Sequence, residues 1–122
     1  MKILILGAGK MGSFFADVLS FKHEVAMFDT DLQRLRFTFN TIRMSRPEEI
    51  TDFRPELVIN AATVKYTIDA LKMILPYLSK NCILSDIASV KTGLPEFYKQ
   101  AGHPFVSTHP MFCLLYTSDA AD

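Results

Sequence analysis

Lys2-Ile3-Leu4-Ile5-Leu6-Gly7-Ala8-Gly9-Lys10-Met11-Gly12 decides the fold of this chain. Ile3 to Leu6 are four consecutive large apolar residues, the pattern of a strand buried on both faces and so of a central strand in a parallel sheet. Gly7, Gly9 and Gly12 then fit G-x-G-x-x-G, in which the three glycines serve in turn for a tight bend, for a bare backbone that a pyrophosphate can approach, and for close packing of the next helix on the strand. A helix starting at Lys10 and Met11 points backbone N–H groups and the positive end of its dipole at an anion. By itself the glycine pattern also fits a structural turn that holds no ligand. Its surroundings favour a dinucleotide site: an apolar strand before it, helical spacing after it, and a second strand, Glu24 to Phe28, that ends in Asp29 where a ribose-binding carboxylate belongs.

Composition narrows the class. The chain has 122 residues, enough for one domain with a true core and short for a two-domain dehydrogenase. Thirteen basic and thirteen acidic residues balance, with no Lys/Arg stripe of the kind that binds nucleic acid. No apolar run reaches membrane-spanning length, and the first core strand starts so soon after Met1 that a signal peptide has no room; the expectation is a cytoplasmic protein with no membrane partner. Cys82 and Cys113 are too few and too unpatterned for a disulfide framework or a zinc site, so no metal is expected.

Along the chain, Met11, Phe14, Phe15, Val18 and Leu19 have helical spacing over about Lys10 to Phe21, and His23 reads as a solvated connector. Thr30 or Asp31 suits the cap of a helix through Leu32, Leu35, Phe37 and Phe39. A short strand over Thr41 to Met44 follows, then Ser45-Arg46-Pro47-Glu48, which fits a capping box. Leu57 to Ala62 reads as a fourth strand, Tyr66 to Leu78 as a helix with Pro76 disturbing its last turn, and Cys82 to Asp86 as a fifth strand. A short helix from Gly93 to Ala101 and a sixth strand, Phe105 to Thr108, complete the alternation. Strands separated by helical segments imply parallel pairing through right-handed crossovers, hence an α/β doubly wound parallel sheet with strand order 3-2-1-4-5-6.

In such a sheet ligands lie beyond the carboxyl ends of the strands. The adenosine half of a dinucleotide falls beside Asp29, and the nicotinamide half falls near the loops after strands four, five and six. Ala61, Ala62 and Thr63 are small enough there for a flat ring to approach, although small residues at a strand end are also ordinary packing. His109 is the candidate general base, because a neutral imidazole accepts a proton from an alcohol as hydride leaves; a capping or merely exposed histidine is the alternative. Ser89 suits orienting the same hydroxyl, or a turn. Lys91 suits attracting a carboxylate, or simple solvation, and Asp86 suits bracing the loop, or supporting from behind the residues that touch the substrate. His103 precedes the sixth strand, at the wrong end of the sheet for chemistry.

Ser89-Val90-Lys91 and His109-Pro110-Met111-Phe112, behind Gly7-x-Gly9-x-x-Gly12, resemble prephenate dehydrogenase, the NAD-dependent family of tyrosine biosynthesis, over Met1 to Phe112. The resemblance implies a Rossmann domain with NAD as cofactor, a small-molecule substrate, and Ser89 and His109 contacting the hydroxyl that is oxidised. It also implies a largely helical second domain, absent here, that carries dimer contacts and an arginine for the substrate carboxylate, so the parent is expected to be a homodimer. After Phe112 the family pattern continues with Gly-Pro, whereas this chain has Cys113 to Asp122, which reads as a foreign or disordered tail, with a divergent C-terminus as the alternative.

The expected reaction is oxidative decarboxylation of prephenate to 4-hydroxyphenylpyruvate, with arogenate, or a hydroxy acid or imine, as competing substrates. A nucleotide-sensing module without turnover is the competing reading of another class; it has no need of the Ser89 and His109 pair. Asp29, with no arginine directly after it, favours NAD over NADP, and Arg34 in the next helix leaves that choice open.

Overall fold

The computed structural model describes residues 1–36 and 41–107. Its six strands form one parallel sheet, β1 (Lys2–Leu6), β2 (Glu24–Phe28), β3 (Ile42–Met44), β4 (Leu57–Asn60), β5 (Ile83–Asp86) and β6 (Phe105–Ser107), in the order β3-β2-β1-β4-β5-β6. Among the described residues five α-helices connect them: α1 (Lys10–Leu19), α2 (Leu32–Leu35), α3 (Glu48–Phe53), α4 (Thr67–Ile74) and α5 (Leu94–Ala101). The expected doubly wound topology and strand order are those observed.

β1 is central because its sequence leaves it no other place. It pairs with β2 from Lys2↔Glu24 to Leu6↔Phe28 and with β4 from Ile3↔Leu57 to Leu6↔Asn60, and Ile3, Leu4, Ile5 and Leu6 are all buried. Successive side chains of a strand point to opposite faces, so β1 feeds two cores. Ile3 and Ile5 pack with Ala16 of α1 and Leu35 of α2, while Leu4 and Leu6 pack with Ile50 and Phe53 of α3, Leu71 and Ile74 of α4, and Leu94, Phe97 and Tyr98 of α5. Each of these buried Ile or Leu side chains contributes about 1.5–3 kcal/mol relative to exposure.

Several local expectations are corrected. On α1 the residues against the sheet are Gly12 and Ala16, flanked by Phe15 and Leu19, and Val18 is half exposed; small side chains bring the helix axis close to β1 and rotate Val18 outward. The turn before α3 closes through Glu49 and not Glu48: its Oε1 accepts from the N–H groups of Ser45 (3.2 Å) and Arg46 (3.1 Å), and the Ser45 side chain is not the cap, because Pro47 takes the N-cap position. The fourth strand ends at Asn60, so Ala61 and Ala62 belong to the following loop. The helix expected over Tyr66 to Leu78 is divided: a 3-10 turn (Val64–Tyr66), α4, and a second 3-10 turn over Leu75–Tyr77 where Pro76 cannot donate to the ladder. Asp31 is the cap of α2, accepting from the Gln33 N–H at 3.0 Å. Phe37, Phe39, Thr108, His109 and the segment from Cys113 to Asp122 lie outside the described residues.

Candidate functional site

The three glycines of the G-x-G-x-x-G stretch meet three different surroundings. Gly7 has φ +94°, a left-handed conformation that side chains resist, and a Cβ on it would sit 3.0 Å from the Ala61 carbonyl oxygen. At Gly12 a Cβ would fall 1.9 Å from the Gly7 carbonyl oxygen, so only glycine lets α1 begin this close to the turn. Around Gly9 a Cβ would meet nothing within 4 Å. That open space lies at the N-terminus of α1, where Gly9 is the N-cap, no side chain caps the helix and the first turn carries no acidic residue. The N–H groups of the first turn, with Lys10 exposed and Met11 half-buried beside them, therefore present an uncapped positive helix end to a space free of side chains, which suits a pyrophosphate.

Asp29 directly follows β2. Its Oδ2 accepts from the Ala8 N–H and its Oδ1 from the Asp31 N–H, both at 2.8 Å, so the carboxylate ties the glycine loop to the turn before α2. An ionised carboxylate has about four acceptor sites, and two remain for ligand hydroxyls. Arg34 approaches from α2, with a terminal nitrogen 3.9 Å from Asp29 Oδ2 and Nε 3.7 Å from Asp31 Oδ2. Gly7, Asp29, Asp31, Arg34, Ala62 and Thr63 line one cavity of about 400 Å³, which Phe28, Tyr66, Asp69, Ala70 and Met73 also line. Charged groups combined with aromatic and aliphatic side chains suit an adenosine.

The loop after β4 is shaped by Asn60, which sequence reasoning missed. This buried amide donates from Nδ2 to the Thr67 carbonyl (2.7 Å) and accepts from the Ala62 N–H (3.1 Å), while the Thr67 hydroxyl donates to the Thr63 carbonyl (3.2 Å). The signal was present in sequence: a polar residue closing an apolar strand.

The far side of the sheet holds a second cluster. Asp86, the last residue of β5, is fully buried. Its Oδ1 accepts from the Ala88 N–H (3.0 Å) and the Lys91 ammonium, and its Oδ2 from the Tyr98 hydroxyl (2.6 Å) and the Ser107 hydroxyl (2.9 Å). Burial alone would raise the Asp86 pKa, but the bonds from Lys91, Tyr98, Ser107 and Ala88 together outweigh it and hold the carboxyl below its usual range; burial and the same carboxylate push the Tyr98 hydroxyl far up. Ser89 is exposed on the loop that this network anchors, and Lys91 faces Asp86. His103 Nδ1 lies 3.0 Å from the Cys82 carbonyl, at the opposite end of β5. Cys82 itself is buried and free, and burial, helped by the Glu56 charge, raises its thiol to about 11.

Residues 16–115 match the family model described as prephenate dehydrogenase, nucleotide-binding domain. The chain belongs to this family. A solved structure of prephenate dehydrogenase from A. aeolicus, in complex with hydroxyphenyl propionate and NAD+, superimposes with a TM-score of 0.82 at 25% identity over 91% of this chain and 42% of its own. Synechocystis arogenate dehydrogenase gives 0.74 at 22% identity over 90% and 41%, and a ketopantoate reductase from Ralstonia eutropha gives 0.73 at 17% over 88% and 40%, likenesses that show the fold. The chain thus spans about two fifths of the length of these structures. A search of curated proteins finds no match. Among the described residues, no helix is long and apolar enough to cross a membrane.

Proposed function

We propose that this chain is the cofactor domain of an NAD-dependent dehydrogenase that converts prephenate to 4-hydroxyphenylpyruvate, with arogenate as the alternative substrate. The observation that carries the reading is the shared cavity of Gly7 and Asp29 beside the open space at Gly9. The family match and the A. aeolicus enzyme, whose structure holds NAD+ and a hydroxyphenyl ligand, support the cofactor and the substrate class.

Asp29 accepts the ribose hydroxyls, the α1 N-terminus faces the pyrophosphate, and Ala61, Ala62 and Thr63 leave room along the path toward β5. Bound NAD supplies the hydride acceptor. His109 takes the proton of the substrate hydroxyl as its carbon is oxidised, and Ser89 orients that hydroxyl. Loss of carbon dioxide leaves its electron pair in the ring, which becomes aromatic, and the proton held by His109 returns to the resulting phenolate oxygen. Lys91 and Asp86 hold the Ser89 loop. The parent protein is a homodimer assembled through its second domain, and acts in the cytoplasm.

Calorimetric titration of the chain with NAD and NADP tests the cofactor reading, with NAD bound more tightly and Gly9→Val abolishing binding by filling the open space. In a chain joined to a helical second domain, His109→Asn lowers kcat by roughly 100- to 10,000-fold with NAD affinity retained. Failure of NAD to bind overturns the cofactor reading, and a kcat within a few-fold of the parent overturns the role of His109.

A further inference from the structure

The charged residues lining the cavity beside the glycine loop are, among the described residues, three carboxylates, Asp29, Asp31 and Asp69, and one cation, Arg34. Arg34 sits where cofactor choice is made. A terminal nitrogen of its guanidinium is 3.9 Å from Asp29 Oδ2, an oxygen of the carboxylate that faces the ribose, so this side chain is within reach of a 2′-phosphate. Its Nε lies 3.7 Å from Asp31 Oδ2. Asp31 is therefore placed to hold the Arg34 guanidinium on a carboxylate and away from a phosphate. Both side chains are half exposed, so the hold is weak and reversible.

We propose that Asp31, acting through Arg34, is a specificity-determining residue that turns this site against a 2′-phosphorylated dinucleotide. The proposal rests on the dinucleotide reading of the cavity. It differs from the role of Asp29, which accepts the ribose hydroxyls directly. Asp31 discriminates through a partner side chain, and its other oxygen, Oδ1, separately caps α2 through the Gln33 N–H. An asparagine keeps that cap and loses the charge.

The test is a double-mutant cycle read by titration of NAD and NADP into the parent chain, Asp31→Asn, Arg34→Ala and the double variant. The expected result is that Asp31→Asn shifts the NADP-to-NAD affinity ratio about fivefold toward NADP, that Arg34→Ala shifts it the other way, and that the double variant loses the gain. The gain should shrink as salt rises, since the charges concerned are exposed. Thermal unfolding of each variant without ligand separates a change of ratio from loss of fold, and Asp31→Glu, which restores the charge, should return the ratio toward the parent value. An unchanged ratio in Asp31→Asn overturns the proposal, and so does a gain that persists in the double variant, because the effect would then not run through Arg34. If the parent binds neither dinucleotide, the cofactor reading itself fails, a result distinct from either.

Discussion

Asp29 follows the last residue of β2 and Asp86 is the last residue of β5, so both carboxylates stand at the carboxyl edge of one parallel sheet. Asp29 accepts two backbone N–H groups and turns its remaining capacity toward a cavity that holds an exposed arginine. Asp86 is fully buried and accepts from a backbone N–H, an ammonium and two hydroxyls drawn from the β5–α5 loop, α5 and β6. A carboxylate whose acceptor sites are all filled from within the chain serves the fold, and one with sites to spare at a cavity mouth serves a ligand.

The largest test of this contrast is Asp86→Ala. It takes the carboxylate from the buried Tyr98 hydroxyl and the Ser107 hydroxyl and removes one partner of the Lys91 ammonium, and should lower the unfolding free energy by about 3–5 kcal/mol in urea denaturation, a large part of the roughly 5–15 kcal/mol typical of a domain. Asp29→Asn should do the reverse: NAD affinity falls by the equivalent of about 1.5–3 kcal/mol while stability falls by about 1 kcal/mol, since the amide oxygen keeps one N–H bond. A larger stability loss at Asp29 than at Asp86 would break the comparison.

Acid sharpens it. Because the Asp86 pKa is depressed in the folded state, its contribution is fully present above the unfolded carboxylate value near 3.8 and is lost as pH falls through the lower folded value. Stability should therefore drop steeply below about pH 4, and Asp86→Asn should flatten that slope by up to about 1.4 kcal/mol per pH unit, measured by denaturation at stepped pH. The smallest expected effect is on Arg34→Ala, whose long, exposed ion pairs should leave the unfolding free energy within about 0.5 kcal/mol of the parent.

What sequence made legible follows the same division. The glycine loop, Asp29 and the strand order rest on short-range patterns, a run of apolar residues, fixed glycine offsets and an acid at the next strand end, and all are found where expected. The Asp86 cluster joins residues 12 and 21 positions apart through three elements. No local period announces such a cluster, so sequence points to neither Tyr98 nor Ser107 and offers Asp86 as a brace for its loop or a support behind the substrate contacts. Asp31 was read as a cap, which it is, while its second oxygen toward Arg34 depends on a side-chain direction that spacing does not give. Glu49 takes the place expected of Glu48 in the turn before α3 because the N-cap falls on Pro47, two positions after Ser45. His109 and the tail beyond Phe112 lie outside the described residues, and their roles rest on the proposal above.

The close approach of the Ala61 backbone to the Gly7 turn has a kinetic consequence. The turn that would receive a pyrophosphate is shaped on one side by its own chain and on the other by the loop after β4, more than fifty residues later, and β1 gains its second neighbour only through Ile3↔Leu57 and the pairs that follow. Pairings of such long separation close late, after the entropy of the intervening chain has been lost. Nucleotide affinity should accordingly appear in refolding only once β4 has docked, after helical signal has recovered, so that a cofactor fluorescence trace lags the circular dichroism trace and marks the moment the two halves of the sheet meet.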